Sequence, residues 1–214
     1  MDMRYGTVNL SPMGALMITI ANTQMGKYYN LPTGTGDITG HSDSKLMDFQ
    51  AGAESALSQV LFALAGNNML VGLGFLSSQE AYSLEKLVAD YETCRYVKRL
   101  LHGINFSPET IAFDLIKAVG AGGNFLKQKH TVNWYRKEFI FTDVFNRESR
   151  TTWEAAGCKD TFEYARERVN KILESSSLNL LDSAADKALD QKMNSILLRR
   201  GHKLAEFRYL LPSK

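Results

Sequence analysis

A glycine-rich, acidic segment over residues 31–50 concentrates the side chains that could do chemistry. Three glycines loosen it, at Gly34, Gly36 and Gly40. The segment also carries a tight cluster of ionisable side chains: Asp37, His41, Asp43, Lys45 and Asp48. A short strand is predicted at its start and a regular amphipathic helix just after it. Because α/β folds present functional groups in such loops at the carboxyl ends of strands, we expect a functional site here.

The spacing within this segment excludes two common phosphate-binding motifs. The glycines do not have the spacing of the dinucleotide-binding fingerprint, and no helix follows them immediately. Lys45 is not a Walker lysine, because the order Gly-Lys-Ser/Thr is absent. The four histidines and two cysteines of the chain fall at no metal-ligand spacing, so no metal site is predicted.

The composition is that of a globular protein, with 44% hydrophobic and 22% charged residues. The net charge is +2 with scattered basic residues, which argues against nucleic acid as a partner, since phosphate binding needs a concentrated basic surface. Cys94 and Cys158 are far apart and are expected to be reduced thiols. No apolar run could span a membrane and no signal peptide is evident, so no membrane partner and a cytoplasmic location are expected.

Helical spacing of apolar residues predicts most of the elements. Ser11-Pro12 is a typical helix start. The methionine-rich helix that follows, to about Tyr28, is apolar enough to be buried on more than one side. Its methionines are expected to fill the core. Further helices are predicted at about 46–65, 84–102, 108–119, 160–174 and 178–198.

Two segments, 33–37 and 69–76, are predicted strands, and residues 77–82 are a predicted polar loop. The second segment is a continuous apolar run, typical of a parallel strand buried on both faces. Alternation of strands and helices predicts a parallel sheet. Two parallel strands cannot make a stable sheet alone. Either further strands lie in the aromatic-rich residues 124–150, which stay unassigned, or the chain is part of a larger barrel.

Short motifs in a fixed order give the sequence a family resemblance. The most specific are Ser-Asp-Ser-Lys at residues 42–45 and His130-Thr131 followed by Arg136 and Glu138. The others lie at residues 1–6, 40–45 with 48–52, 65–66 leading to 72–74, 83–85, 90–92 and 122–126. In these motifs the chain resembles the trimethylamine methyltransferase family, which comprises corrinoid-dependent methylamine methyltransferases and their quaternary-amine relatives.

The resemblance implies a (β/α)8 barrel, and members of the family are considerably longer than this chain. The expected fold class is therefore α/β, a partial (β/α)8 TIM-type barrel with additional C-terminal helices. We expect residues 1–214 to form a single domain that corresponds to the carboxyl-terminal half of that barrel. A half barrel leaves strand edges open, so a homo-oligomer or a missing amino-terminal half is expected to cover them.

The resemblance also implies a reaction, the transfer of a methyl group from a methylated amine to the Co(I) of a corrinoid. The amine would be trimethylamine or a quaternary amine such as glycine betaine. The corrinoid is carried on a partner protein, so the chain is expected to bind no cofactor directly. Some relatives place a pyrrolysine near the position of Gly40-His41, and the ordinary residues here favour the quaternary-amine branch. The chain must hold a methylated cation in place for the reaction. Anionic and aromatic side chains bind such a cation through Coulomb attraction and cation–π contact.

The resemblance and the residue types together give three groups of candidate site residues. Asp37, His41 and Asp43 of the glycine-rich segment are the candidate catalytic residues. Phe75, Glu80 and Tyr82 follow the second strand and would lie at the same end of a barrel, as substrate-binding residues. His130 and Arg136 are also candidates for substrate binding, since an arginine can hold a carboxylate such as that of a betaine.

Structural alternatives stay open for several of these residues. Asp43 or Asp48 could cap the following helix, and Glu80 could be a solvated loop charge. Arg136 could form a structural ion pair with Glu138 or another carboxylate. A quaternary amine needs no proton transfer, so His41 does not have to act as a general acid.

Two other functions also stay open. The chain could be a truncated, catalytically silent half barrel that serves as an interaction module or needs its amino-terminal half in trans. It could also be an unrelated enzyme that uses Asp43 and Lys45 for acid–base chemistry, in which case it would turn over without any corrinoid.

Overall fold

The computed structural model describes residues 1–175, 182–203 and 205–206, and of Asp37 the backbone only. The described chain is mostly helical and includes a short two-stranded antiparallel sheet. It divides into two compact units, Met1–Val169 and Asn170–Lys214. All the candidate site residues lie in the first unit.

The helices of the first unit are α1 (Met13–Tyr28), α2 (Phe49–Ala65), α3 (Leu84–His102), α4 (Pro108–Ile111), α5 (Phe113–Val119), α6 (Lys129–Glu138) and α7 (Arg150–Ala155). Helix α8 (Thr161–Ser175) begins in the first unit and ends in the second, which also contains α9 (Ser183–Leu198). The strands are β1 (Phe75–Leu76) and β2 (Ala81–Tyr82), and 3₁₀ turns lie at Gly36–Ile38 and Ser77–Gln79. Helix α2 packs against both α1 and α3.

Capping side chains fix where α2 and α3 begin. The Asp48 carboxylate accepts a hydrogen bond from the Ala51 amide at 2.9 Å, and this bond lowers the pKa of Asp48. The Ser83 hydroxyl accepts from the Lys86 amide at 3.1 Å in the same way. The alternative that Asp48 caps the helix after the glycine-rich segment is therefore confirmed.

The helix predicted over residues 108–119 is interrupted at Ala112. Its start is as predicted, since Ser107 forms a capping box with Thr110. Ala112, however, has a φ of +51°, and its amide donates to the Pro108 carbonyl. The left-handed residue ends α4 and lets α5 begin in a new direction, because a right-handed helix cannot pass through it.

The structure buries one face of α1, although the sequence predicts burial on more than one side. Leu16 and Thr23 are buried, but Met17 and Ile18 are 62% and 65% exposed. Among the described elements α1 packs chiefly against α2, and the side of α1 that carries Met17 and Ile18 is exposed. The exposed methionines are thus not core residues in this structure.

The two predicted strands run parallel but form a ladder only in places. Gly34 and Met69 make an isolated parallel bridge, and further along the Thr39 amide donates to the Val71 carbonyl at 2.9 Å. The 3₁₀ turn Gly36–Ile38 interrupts the first segment. In the second, Gly72 has a φ of +115°, which an extended strand cannot accommodate.

The end of the second segment pairs in the opposite sense from that predicted. Strand β1 pairs antiparallel with β2, with Phe75 opposite Tyr82 and Leu76 opposite Ala81. The predicted polar loop over residues 77–82 therefore contains a 3₁₀ turn and a strand. A tight turn favours antiparallel pairing between neighbours in sequence, since a parallel return needs a long crossover.

The unassigned residues 124–150 form α6 and the approach to α7, and the structure describes no strand within them. The helix predicted at 160–174 is confirmed as α8. The helix predicted at 178–198 is described as α9, which begins after Asp182, whose carboxylate accepts from the amides of Ala184 and Ala185. Leu178 and Leu181 of the predicted stripe lie outside the described residues.

The interior of the first unit mixes apolar and polar side chains. Phe62 and Val144 are fully buried, and so are His41, Gln59 and Lys86. Buried polar groups are stable only where hydrogen bonds replace those lost to water. These networks therefore show which segments the fold holds in place. No helix in the described part of the chain is long and apolar enough to cross a membrane.

Candidate functional site

The structure brings the glycine-rich segment and the β1–β2 hairpin together. The Ser42 amide donates to the Phe75 carbonyl at 3.2 Å, and the Ser77 amide donates to the Ser44 carbonyl at 2.8 Å. Residues 40–45, named here the acidic loop, thus lie along β1 and the turn that follows it. Two groups of candidate residues, around Asp43 and around Phe75, share one region of the molecule.

The Asp43 carboxylate is a junction between three segments. It accepts hydrogen bonds from the amides of Leu10 and Ser11, at 3.2 and 3.1 Å, and from the Ser78 hydroxyl at 2.9 Å. Its side chain is 10% exposed. Asp43 therefore does not cap α2. It ties the residues before α1 and the turn after β1 to the acidic loop.

His41 is completely buried beside Asp43. Its Nδ1 lies 2.9 Å from the Ser11 hydroxyl and 4.0 Å from the nearer Asp43 oxygen. Its Nε2 has no hydrogen-bond partner among the described residues. Burial lowers the pKa of His41, against the opposing effect of the Asp43 carboxylate. The imidazole is therefore neutral at pH 7 and offers one uncommitted ring nitrogen.

The Ser11 hydroxyl serves His41 rather than the helix it precedes. It lies within hydrogen-bond distance of both the Nδ1 and the carbonyl of His41, at 2.9 and 3.3 Å. Helix α1 begins at Met13 and has Pro12 at its N-cap, without a side-chain cap. The local signal predicted the start of α1 to within a residue. The predicted capping group, the Ser11 hydroxyl, bonds to His41 instead of to the helix.

Glu54 of α2 supports the acidic loop from the other side. Its Oε2 accepts from the Ser42 hydroxyl at 2.7 Å and from the Asp43 amide at 2.8 Å, and its Oε1 accepts from the Gln50 side chain at 2.9 Å. The sequence analysis did not select Glu54. Its only signal was a carboxylate one turn into a helix that directly follows the loop.

A buried ion pair on α3 was also not selected. Lys86 and Asp90 are 2% and 4% exposed, and the Lys86 Nζ lies 2.6 Å from the Asp90 Oδ2. Burial lowers the pKa of Lys86, and the Asp90 carboxylate opposes that shift. The available signal was a Lys and an Asp four residues apart, which places them on one helix face, but that spacing is far commoner at exposed positions.

The hairpin supplies the aromatic part of the candidate site. The rings of Phe75 and Tyr82 meet edge to face across β1 and β2, with centroids 5.1 Å apart. Tyr82 is 52% exposed, so the pair reaches the surface. Glu80 lies exposed in the turn, 3.4 Å from the Ser77 hydroxyl, which agrees with the alternative of a solvated loop charge.

His130 and Arg136 lie on α6 and bond to neighbours there and on α4. The His130 Nε2 is 2.8 Å from the Glu109 carbonyl, and its ring stacks on Trp134. The Arg136 Nε donates to the Tyr135 hydroxyl at 2.6 Å. None of the bonds described for these two side chains reaches the acidic loop.

The ion pair considered for Arg136 is made by another arginine. Arg99 of α3 binds Glu138 at 2.5 Å and so links α3 to the end of α6. Among the described residues no ion pair joins Arg136 to Glu138, whose partner is Arg99. The Asp37 side chain lies outside the described residues, and Lys45 donates to the Asp43 carbonyl at 2.8 Å.

A cleft of about 380 Å³ opens beside the buried pair. It is lined by residues that include Phe49, Ser55, Lys86, Asp90, Phe145 and Phe162. Within the described part of the chain, no three histidine, cysteine, aspartate or glutamate side chains are grouped so that they could hold a metal ion.

Comparison with known proteins identifies the family. The model of the trimethylamine methyltransferase family, MTTB, matches residues 1–199, a span that includes the acidic loop, the hairpin and α3. The chain belongs to the trimethylamine methyltransferase family. The resemblance inferred from the sequence motifs is thereby confirmed.

Several curated members of the trimethylamine methyltransferase family are similar to this chain. Glycine betaine methyltransferase of Desulfitobacterium hafniense (strain Y51) is 34% identical over 207 residues, which is 96% of this chain and 42% of that protein. Trimethylamine methyltransferase MttB of D. hafniense (strain DSM 10664 / DCB-2) is 36% identical over 174 residues, 81% of this chain and 34% of that protein. Trimethylamine methyltransferase MttB2 of Methanosarcina mazei is 33% identical over 185 residues, 85% of this chain and 36% of that protein. The chain thus spans about two fifths or less of these relatives.

Proposed function

We propose that this chain takes part in transferring a methyl group from a methylated amine to the Co(I) of a corrinoid carried on a partner protein. The observation that carries the proposal is the contact between the acidic loop and the β1–β2 hairpin in a member of this family. That contact brings the buried carboxylate of Asp43 and the Phe75–Tyr82 pair into one region. The named relatives that match this span are methyltransferases for trimethylamine and glycine betaine.

The chain's own task in this reaction is to hold a cation. A quaternary ammonium ion donates no hydrogen bond, so only charge and aromatic faces can recognise it. The exposed Tyr82 ring, braced edge to face by Phe75, offers an aromatic surface, worth about 0.5–2 kcal/mol to a bound cation. Asp43, which accepts from the Ser78 hydroxyl in the turn after β1, adds a carboxylate to the same region and is held in place by three donors.

The corrinoid supplies the nucleophile when its partner protein presents it, so this chain needs no serine or cysteine nucleophile. The methyl carbon leaves nitrogen, and the freed amine keeps the electron pair. Because Tyr82 is 52% exposed, the hairpin lies where a group carried by another protein can reach it. His41 is buried and neutral and is not required to move a proton for a quaternary amine.

We further propose that the chain contributes part of a (β/α)8 barrel. Two segments run parallel, with hydrogen bonds from Thr35 to Met69 and from Thr39 to Val71. Each is followed along the chain by a helix, α2 after the first and α3 after the hairpin, and the two helices pack together. This is the order and packing of βα units in such a barrel.

The test is a methyl-transfer assay with an internal site control. The chain is mixed with a reduced corrinoid protein that supports turnover by the D. hafniense glycine betaine methyltransferase, and cobalt absorbance is followed with trimethylamine and glycine betaine. The relative is the positive control. We expect a spectral change with one of the two amines, and about a 2- to 30-fold weaker apparent affinity for that amine in Tyr82→Ala but not in Tyr82→Phe.

An unchanged spectrum with both amines, while the relative turns over, would contradict the proposed function. Binding to the corrinoid protein without turnover would instead support the interaction module. Turnover of either amine without corrinoid would support the unrelated acid–base enzyme.

A further inference from the structure

The buried pair on α3 touches both parts of the candidate site through the backbone. The Lys86 Nζ donates to the Gly40 carbonyl at 2.5 Å, where the acidic loop begins. The Asp90 Oδ2 accepts from the Gly74 amide at 2.8 Å, one residue before β1. Lys86 and Asp90 are also joined to each other at 2.6 Å. One ion pair therefore spans the starts of the acidic loop and the hairpin.

The two backbone contacts lie at glycines in a left-handed conformation that residues with side chains rarely adopt. Gly40 and Gly74 have φ values of +68° and +88°. A Cβ at Gly40 would lie 2.5 Å from the Leu73 side chain, and a Cβ at Gly74 would lie 2.9 Å from the Tyr82 ring. The chain is turned sharply at both points, and the turns direct a carbonyl and an amide toward α3.

Helix α2 holds the pair from a third side. The Ser55 hydroxyl donates to the Asp90 Oδ1 at 2.5 Å, and the Gln59 amide donates to the Ser55 hydroxyl at 3.3 Å. The Gly40 amide donates to the Ser58 hydroxyl at 3.0 Å. Gly40 is therefore bound at its carbonyl by α3 and at its amide by α2, so its position follows the packing of the two helices.

Stability alone does not explain why this buried position holds two charged side chains. Removing two charges from water costs several kcal/mol each, and well-packed apolar residues often serve stability equally well. Apolar side chains, however, can neither donate to the Gly40 carbonyl nor accept from the Gly74 amide. What the ion pair adds beyond packing is the directed placement of two backbone groups.

We propose that Lys86 and Asp90 are positioning residues that set the acidic loop against the hairpin. Through Gly40 they place Asp43, and through Gly74 they place the Phe75–Tyr82 pair, without touching the amine themselves. The inference rests on the proposed function for its catalytic consequence, but the positioning itself can be measured without turnover.

The decisive variant replaces both charges by apolar residues, Lys86→Met with Asp90→Leu. It removes the buried charges together but leaves the Gly40 carbonyl, the Gly74 amide and the Ser55 hydroxyl without their partners, so the midpoint of urea unfolding is expected to fall while the chain stays folded without urea. Hydrogen exchange at the amides of Ser42 and Ser77, which bridge the two segments, is expected to become about tenfold faster. The apparent KM for the amine in the methyl-transfer assay is expected to rise at least as much as kcat falls.

Arg95→Met on the same helix is the matched control. Arg95 binds the buried Glu92 at 3.0 Å and the Phe141 carbonyl at 2.9 Å, away from both segments. It is expected to leave exchange at Ser42 and Ser77 unchanged. Lys86→Arg with Asp90 intact, which keeps a cationic donor, is expected to recover part of the protection.

The double variant overturns the proposal if it keeps normal exchange at Ser42 and Ser77. Equal acceleration in Arg95→Met would also overturn it, because the effect would then belong to α3 as a whole. If the double variant unfolds, the single variant Asp90→Asn is measured instead, and normal exchange in that variant contradicts positioning. Absence of turnover by the unmodified chain would contradict the proposed function alone, since the exchange result is read independently.

Discussion

At the scale of single residues, Asp43 shows how a side chain selected for chemistry also carries structure. Its carboxylate accepts hydrogen bonds from Leu10, Ser11 and Ser78. Its place in the sequence, just after the glycines, drew attention to it as a catalytic group. The structure shows that its carboxylate is held in place by three donors from three segments, so it also joins those segments.

We predict that Asp43→Ala lowers the free energy of unfolding by about 1–3 kcal/mol, because two buried amides and a hydroxyl lose their acceptor. Asp43→Asn should lower the free energy of unfolding by less than Asp43→Ala does, since the amide oxygen of asparagine remains as an acceptor. Urea unfolding followed by tryptophan fluorescence measures the change, and both tryptophans, Trp134 and Trp153, lie in the unit that contains Asp43. Glu80→Ala, at an exposed position, is the control and should change stability by less than about 0.5 kcal/mol. Equal stability of Asp43→Ala and the unmodified chain would show that these bonds contribute nothing.

At the scale of elements, α1 is the clearest difference between expectation and structure. Its composition predicts a helix buried on more than one side, but Met17 and Ile18 are exposed while Leu16 is 1% exposed. Apolar composition records what a helix is able to bury. It does not record which neighbours are present to cover it.

The two faces of α1 therefore predict opposite responses to substitution. Leu16→Ala should cost about 2–5 kcal/mol, because it leaves a cavity at a fully buried position. Met17→Lys with Ile18→Lys should change the free energy of unfolding by less than about 1 kcal/mol in total, since both side chains are already exposed. The same urea experiment measures both. A large loss from the lysine variant would show that this face is covered after all.

At the scale of the whole molecule, the buried imidazole of His41 couples stability to pH. The groups that act on it are the carboxylates of Asp43 and Glu54, which raise its pKa, and Lys86, which lowers it. Burial is the largest effect and lowers the folded-state pKa below the ordinary 6.5. Above pH 6.5 both states are neutral. As the pH falls below that value, the unfolded chain takes up a proton that the folded chain does not, so stability is lost.

We predict that the free energy of unfolding declines below about pH 6.5, with a slope of at most about 1.4 kcal/mol per pH unit from this one group. His41→Gln should flatten the decline between pH 6.5 and 5.5, whatever it does to stability at pH 7.5. His102→Gln, at an exposed residue on the same unit, should leave the decline intact. An unchanged slope in His41→Gln would show that His41 is not the group responsible.

The sequence by itself determined the approximate extents of most helices and the family. The start of α4 after Ser107, the run of α3 from Leu84 to His102 and the extent of α8 depend on neighbours a few residues apart and were predicted, and the cap at Asp48 was left as an alternative. The order and spacing of the short motifs along the chain, taken together, indicated the trimethylamine methyltransferase family. Local signals of this kind act between residues close in sequence, so they do not depend on tertiary contacts.

Only the tertiary structure decided which of these groups are held together. In the structure the Ser11 hydroxyl bonds to His41 instead of capping α1, and Arg99 pairs with Glu138. It also buried Lys86 and Asp90 against the turns at both loops, which no spacing in the sequence announces. The physical reason is distance along the chain: such contacts join residues 16 to 46 positions apart, and they form only when helix packing has already brought the segments together.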